Sequence, residues 1–92
     1  MTLMIQRSAA EGFVVFTLSG RIQMENLAQL EELFEREVAD QSVVLDLKEV
    51  RLVELEAVMF LARCEADGIK LGNCPAYIRE WMEKVRDKTF RL

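Results

Sequence analysis

A chain of 92 residues, 51% hydrophobic and 30% charged, with a formal net charge of −4, makes one domain (1–92) that buries a little over ~60% of its unfolded surface. The acidic balance speaks against nucleic acid, whose phosphates need a basic face. No apolar run reaches the ~18 residues of a membrane span, and the start, MTLMIQRSAAEGF, lacks the basic lead and cleavage site of a secretory signal.

In chain order, residues 2–7 (TLMIQR) can form a first strand at an edge. Gly12 to Gly20 is a clearer strand, in which Val14, Phe16 and Leu18 alternate with Val15, Thr17 and Ser19. Glu11-Gly12 makes the turn that pairs the two as a hairpin. A helix follows from about Met24 to Val38, with Leu27, Leu30, Phe34 and Val38 on one stripe, widened by Leu33. Glu25, Glu31, Glu32 and Glu35 take its other side. Asp40, Gln41 and Ser42 return the chain to a central strand, Val43 to Leu47, whose unbroken apolar run suits burial on both faces of a parallel sheet.

Lys48, Glu49 and Arg51 read as a charged turn at the carboxyl edge of that sheet, where open α/β folds usually bind their ligands. The second helix is expected from about Glu54 to Asp67, closed by Gly68. Leu55, Val58, Met59 and Ala62 form one face, broadened by Ala57, Phe60 and Leu61. So apolar a helix is either deeply covered or lends one side to a partner. Ile69 to Leu71 is a short last strand. Pro75 fits the first position of a third helix capped by Asn73 or Cys74, and Ile78, Trp81, Met82 and Val85 line its inner face from Ala76 to Val85.

The available chemistry is narrow. The chain has no histidine, and no serine or threonine occurs between Val43 and Lys88. The usual general base is therefore missing, and a hydroxyl nucleophile at the sheet edge could come only from Tyr77. Cys64 and Cys74 are too far apart for a CxxC motif and read as reduced thiols of a cytoplasmic protein. Asp46, Glu49, Glu54 and Glu56 lie close in sequence and could bind Mg²⁺ if the chain brings them together at the sheet edge. Helix-start carboxylates are equally explained by the helix dipole. Charge is also unevenly spread, with 13 acidic and 6 basic residues in 1–67 against 3 and 6 in 68–92. Such a split can orient the chain against a partner or a copy of itself.

The order of elements, with Gly12 through Ile22, Glu25-Asn26, Leu30, Val43 through Leu47, Gly68, Leu71 and Asn73 through Pro75, resembles the STAS domain over roughly residues 3–86. That family takes its name from sulfate transporters and anti-sigma factor antagonists. The resemblance implies an α/β fold, a STAS-like single layered domain with a mixed four-stranded sheet and about three helices. Bacterial antagonists of the family carry Asp-Ser-Ser-Gly-Leu at the start of the second helix. Their second serine is phosphorylated by an anti-sigma factor that is also a kinase. Here the segment reads Glu54-Leu55-Glu56-Ala57-Val58, and Gln23 stands where an acidic residue is usual. The family's closing strand and helix are missing or reduced to Thr89-Phe90-Arg91-Leu92.

The resemblance therefore implies a non-enzymatic interaction domain without a serine switch. It would meet a protein partner, an anti-sigma factor or related regulator, through Glu54, Glu56, Ala57, Val58 and Gln23, with no cofactor or metal. Two other readings stand beside it. One is a self-associating scaffold domain, a homodimer; the other is a Mg²⁺-dependent phosphoryl acceptor at Asp46 or Glu54.

Overall fold

Alternating side chains fix the two sides of the sheet. The computed structural model describes residues 3–37 and 42–90, the last five as backbone only. Strands β1 (Leu3–Ala10), β2 (Phe13–Ile22), β3 (Ser42–Val53) and β4 (Lys70–Gly72) lie side by side in that order. β1 runs antiparallel to β2, and the other two pairings are parallel. The expected mixed four-stranded α/β sheet is thus the observed one. Glu11-Gly12 makes the hairpin turn, and Gly12 takes it at φ 87°, where a side chain would be strained.

A short 3₁₀ turn (Met24–Asn26) leads into α1 (Leu27–Glu35), so the expected first helix begins as a tighter turn. It closes at Glu35, with Arg36 as its C-cap, short of the expected Val38, while the return through Asp40 and Gln41 lies outside the described residues. Helices α2 (Leu55–Ala66) and α3 (Ala76–Phe90) follow β3 and β4. α2 ends at Asp67 and Gly68, the latter at φ 99°. The carbonyl of Pro75 accepts the first helical bonds of α3 from Ile78 and Arg79, both at 3.1 Å. Pro75 therefore sits just before the helix rather than at its first position, and neither Asn73 nor Cys74 takes that role. α3 continues to Phe90, past the expected Val85, and only Arg91 and Leu92 of the expected closing segment lie outside the described residues.

Two expectations about β3 are corrected. First, it is covered on one face only. Val14, Phe16, Leu18, Leu45 and Leu47 are buried, whereas Val15, Thr17, Val44 and Asp46, which point the other way, are only half-buried. Core residues of α1, α2 and α3 join the first set in one cluster, so the helices form one layer on one side. Trp81 packs against this cluster from its margin. Second, Lys48, Glu49 and Arg51 make no turn. They continue the strand, paired with β2 through Val53, and the register shifts between Thr17 and Ser19 and again between Gly20 and Arg21. Each shift inserts an extra β3 residue, so the inward positions fall at Leu45, Leu47, Val50 and Val53. Charged side chains fit between them because they point to water.

The layers are joined by an aromatic column. Phe16 of β2 meets Phe34 of α1 with ring centroids 5.4 Å apart, and Phe34 stacks on Phe60 of α2 at 6.1 Å. Arg79 of α3 holds Glu65 of α2 through contacts of 2.8 and 3.0 Å. Arg7 of β1 donates two bonds of 3.0 Å to Glu37 just beyond α1. No helix is long and apolar enough to cross a membrane among the described residues.

Candidate functional site

At the carboxyl edge, β2 and β3 pass into α1 and α2 through two connections that are tied together. The Glu54 N–H donates to the Ile22 carbonyl at 3.2 Å, and the Met24 N–H donates to Glu54 Oε1 at 3.0 Å. Within the first connection, the Gln23 N–H donates to Asn26 Oδ1, and the Asn26 N–H to the Gln23 carbonyl, each at 2.9 Å. Glu54 is the N-cap residue of α2, with extended backbone and no side-chain bond to its own helix. A serine or aspartate there is short enough to cap its own helix. Glutamate, longer by a methylene, reaches across to cap the neighbouring turn instead.

The five residues expected to face a partner divide accordingly. Glu56 is exposed in the first turn of α2, without an ion-pair partner among the described residues. Glu54 and Gln23 are half-buried within the tie just described. Ala57 and Val58 are fully buried, so their side chains do not face a partner. The correction has a geometric cause: the inward face of α2 centres on Ala57, Val58, Phe60, Leu61 and Cys64. Leu55 and Met59, expected on that face, turn outward and remain 45% and 47% exposed. Met24, at the connection that Glu54 holds, is 61% exposed. The signal that marks the outward side is the line Glu56, Met59, Arg63, which follows i, i+3, i+7 spacing with charge at both ends.

The carboxylates do not converge. Asp46 Oδ1 accepts the Lys48 N–H at 3.0 Å and Asn73 Nδ2 at 3.2 Å, on the side of the sheet away from the helices. Glu54 lies beyond the end of the same strand, roughly 20 Å further along an extended chain. No group of three or more metal-ligating side chains is found among the described residues.

Searches against family models and curated proteins find no match. Solved structures do match. An uncharacterized protein of the DUF3478 family from Shewanella loihica PV-4, described as having a SpoIIAA-like fold, superposes with a TM-score of 0.56. It shares 16% identity, with 96% of this chain and 79% of that one covered. The chain has the STAS fold. A second structure, Mglu, matches at TM-score 0.54 and 24% identity, over 79% of this chain and 19% of that one. At the start of its second helix this chain displays Leu55, Glu56 and Met59 to solvent.

Proposed function

We propose that this domain is a non-enzymatic protein-interaction module, acting like an anti-sigma factor antagonist in a bacterial cytoplasm. It binds a regulatory protein, an anti-sigma factor or related regulator, through the outward start of α2. The observation that carries this reading is the exposure of Leu55 and Met59 beside Glu56. Large apolar side chains held in water favour a partner that covers them. No serine or threonine occurs from Val43 through Lys88, so the start of α2 offers no such hydroxyl for phosphorylation. The lack of histidine and the dispersal of Asp46, Glu49, Glu54 and Glu56 support binding over chemistry.

Glu56→Lys tests it, with partner captured from the native cell. A cation in the first turn opposes the helix dipole by only ~0.3–1 kcal/mol, so folding survives. A reversed charge inside an interface costs several kcal/mol. Binding is expected to fail while the melting temperature barely moves. Glu32→Lys on α1, an equal change of net charge away from the surface, is expected to leave binding intact. Equal loss in both variants, or in neither, sinks the reading. Incubation with a serine kinase of the anti-sigma type, followed by intact-mass analysis, is expected to place no phosphate between Val43 and Lys88. Light scattering separates the self-associating alternative, which alone requires a dimer of the isolated chain.

A further inference from the structure

The far ends of α1 and α2 enclose a groove of about 480 Å³ between them, a volume in the ~300–1,000 Å³ range of ligand-holding clefts. Its floor is apolar: Phe34 and Phe60 are stacked, and Cys64 and Ile69 continue the surface. Burial pushes the Cys64 thiol up to about 12, so at neutral pH it is an uncharged wall. The rim is acidic, with Glu31, Glu35 and Asp67 against one cation, Arg63. Both helices also end here, α1 at Glu35 and α2 at Ala66. Their C-terminal dipole ends add partial negative charge to the rim.

Arg63 shows what the floor accepts. Its guanidinium stands 5.7 Å above the centre of the Phe60 ring and 3.8 Å from Glu31, within the reach of a cation–π contact. One carboxylate of the rim is therefore answered. Glu35 and Asp67 have no ion-pair partner among the described residues. The groove thus repeats one chemistry, a cation laid over an aromatic ring beside a carboxylate, and leaves part of it vacant.

From this complementarity we infer that the α1–α2 groove is a second docking site, distinct from the start of α2. It receives a basic segment of a partner protein in which a lysine or arginine adjoins an apolar side chain. The apolar stem lies over Phe34 and Ile69, and the charged head meets Glu35 and Asp67. Long basic side chains suit this division, since their stems pack while their heads stay at the rim.

The probe is a short amphipathic peptide of leucine and lysine, titrated into the ¹⁵N-labelled full chain and followed by amide shifts. Shifts are expected to gather at residues 31–35 and 60–69. Glu35→Gln with Asp67→Asn should weaken binding roughly tenfold, the equivalent of ~1.4 kcal/mol. Glu11→Gln with Glu32→Gln, an equal loss of charge elsewhere, should change it by less than about twofold, since exposed charges are screened over about a Debye length. The inference is overturned if the shifts gather at Leu55, Glu56 and Met59 or spread over the whole surface. Equal weakening by the two double variants, or no shift at millimolar peptide, overturns it too. Glu56→Lys decides the reading of the other surface independently.

Discussion

At its start α2 holds Leu55 and Met59 out to water beside Glu56, braced by the bond from the Met24 N–H to Glu54. At its end the same helix buries Phe60 and Cys64 and leaves Arg63 and Asp67 above an aromatic floor. The outward side thus pairs apolar Leu55 and Met59 with Glu56 at the start and carries charged Arg63 and Asp67 at the end. A partner proposed at the start would be held mainly by desolvation and depend weakly on salt, whereas one proposed at the end would feel an attraction screened within about 10 Å at ordinary ionic strength. Two kinds of surface on one short helix mean that each can be disturbed without the other.

The largest effect should fall on both ends together. Leu45, fully buried in β3, supports the sheet under all of α2. Leu45→Ala is expected to cost about 2–5 kcal/mol in urea unfolding. A cost below ~1 kcal/mol would mean that β3 is not the common support. Glu54→Ala separates the ends. It removes the acceptor of the Met24 N–H at an exposed tie, and should cost about 0.5–1.5 kcal/mol while amide shifts change at Gln23 to Asn26 and leave residues 31–35 unmoved. Shifts at both places would show that the ends are coupled. Arg63→Met acts on the other end, where the contact with Glu31 is largely in water. Its expected cost is under about 1 kcal/mol, and a larger loss would make Arg63 a support of the fold.

The smallest effect concerns acid. The hydrogen bonds from Arg7 hold the Glu37 carboxyl below its ordinary value. A lowered carboxylate contributes stability above its unfolded pKa and loses it as pH falls through the folded one. The difference between the chain and Glu37→Gln should therefore be fullest near neutrality and shrink below about pH 4.5. Urea midpoints measured across that range check the sign, and a difference that grows in acid would refute it.

How much of this was legible in the sequence follows from local chemistry. The β1–β2 hairpin was, since Glu11-Gly12 separates two runs and Val14, Phe16 and Leu18 alternate strictly. So was the inner face of α3, where Ile78 and Met82 are buried. The second half of β3 was not. With two extra residues against β2, its inward positions Leu47, Val50 and Val53 recur every third residue, and neither strand nor helix has that period. Lys48, Glu49 and Arg51 therefore read as a turn. For the stretch proposed as a site, the start of α2, the facing of the side chains was not legible either: Ala57 and Val58 turn inward, Leu55 and Met59 outward. Nearly every residue from Leu55 to Ala62 is apolar, so hydrophobicity could not tell Met59 from Val58. Where α1 and α3 pack decides that, and only the tertiary structure holds it.

In space the strands stand in the order in which they are made, β1, β2, β3, β4. This bears on how the chain acquires its shape. The hairpin closes over two residues and can form within ~1–10 μs, before any parallel pairing. β3 then adds to a preformed edge once α1 has spanned the crossover, and β4 adds to β3 in the same way. No strand must be inserted between two already paired, so loop-closure entropy is met in modest instalments. A chain emerging from the ribosome can pair each strand with the preceding one, and at each stage the newest edge is the one that changes, while the outer edge of β1 stays the same throughout.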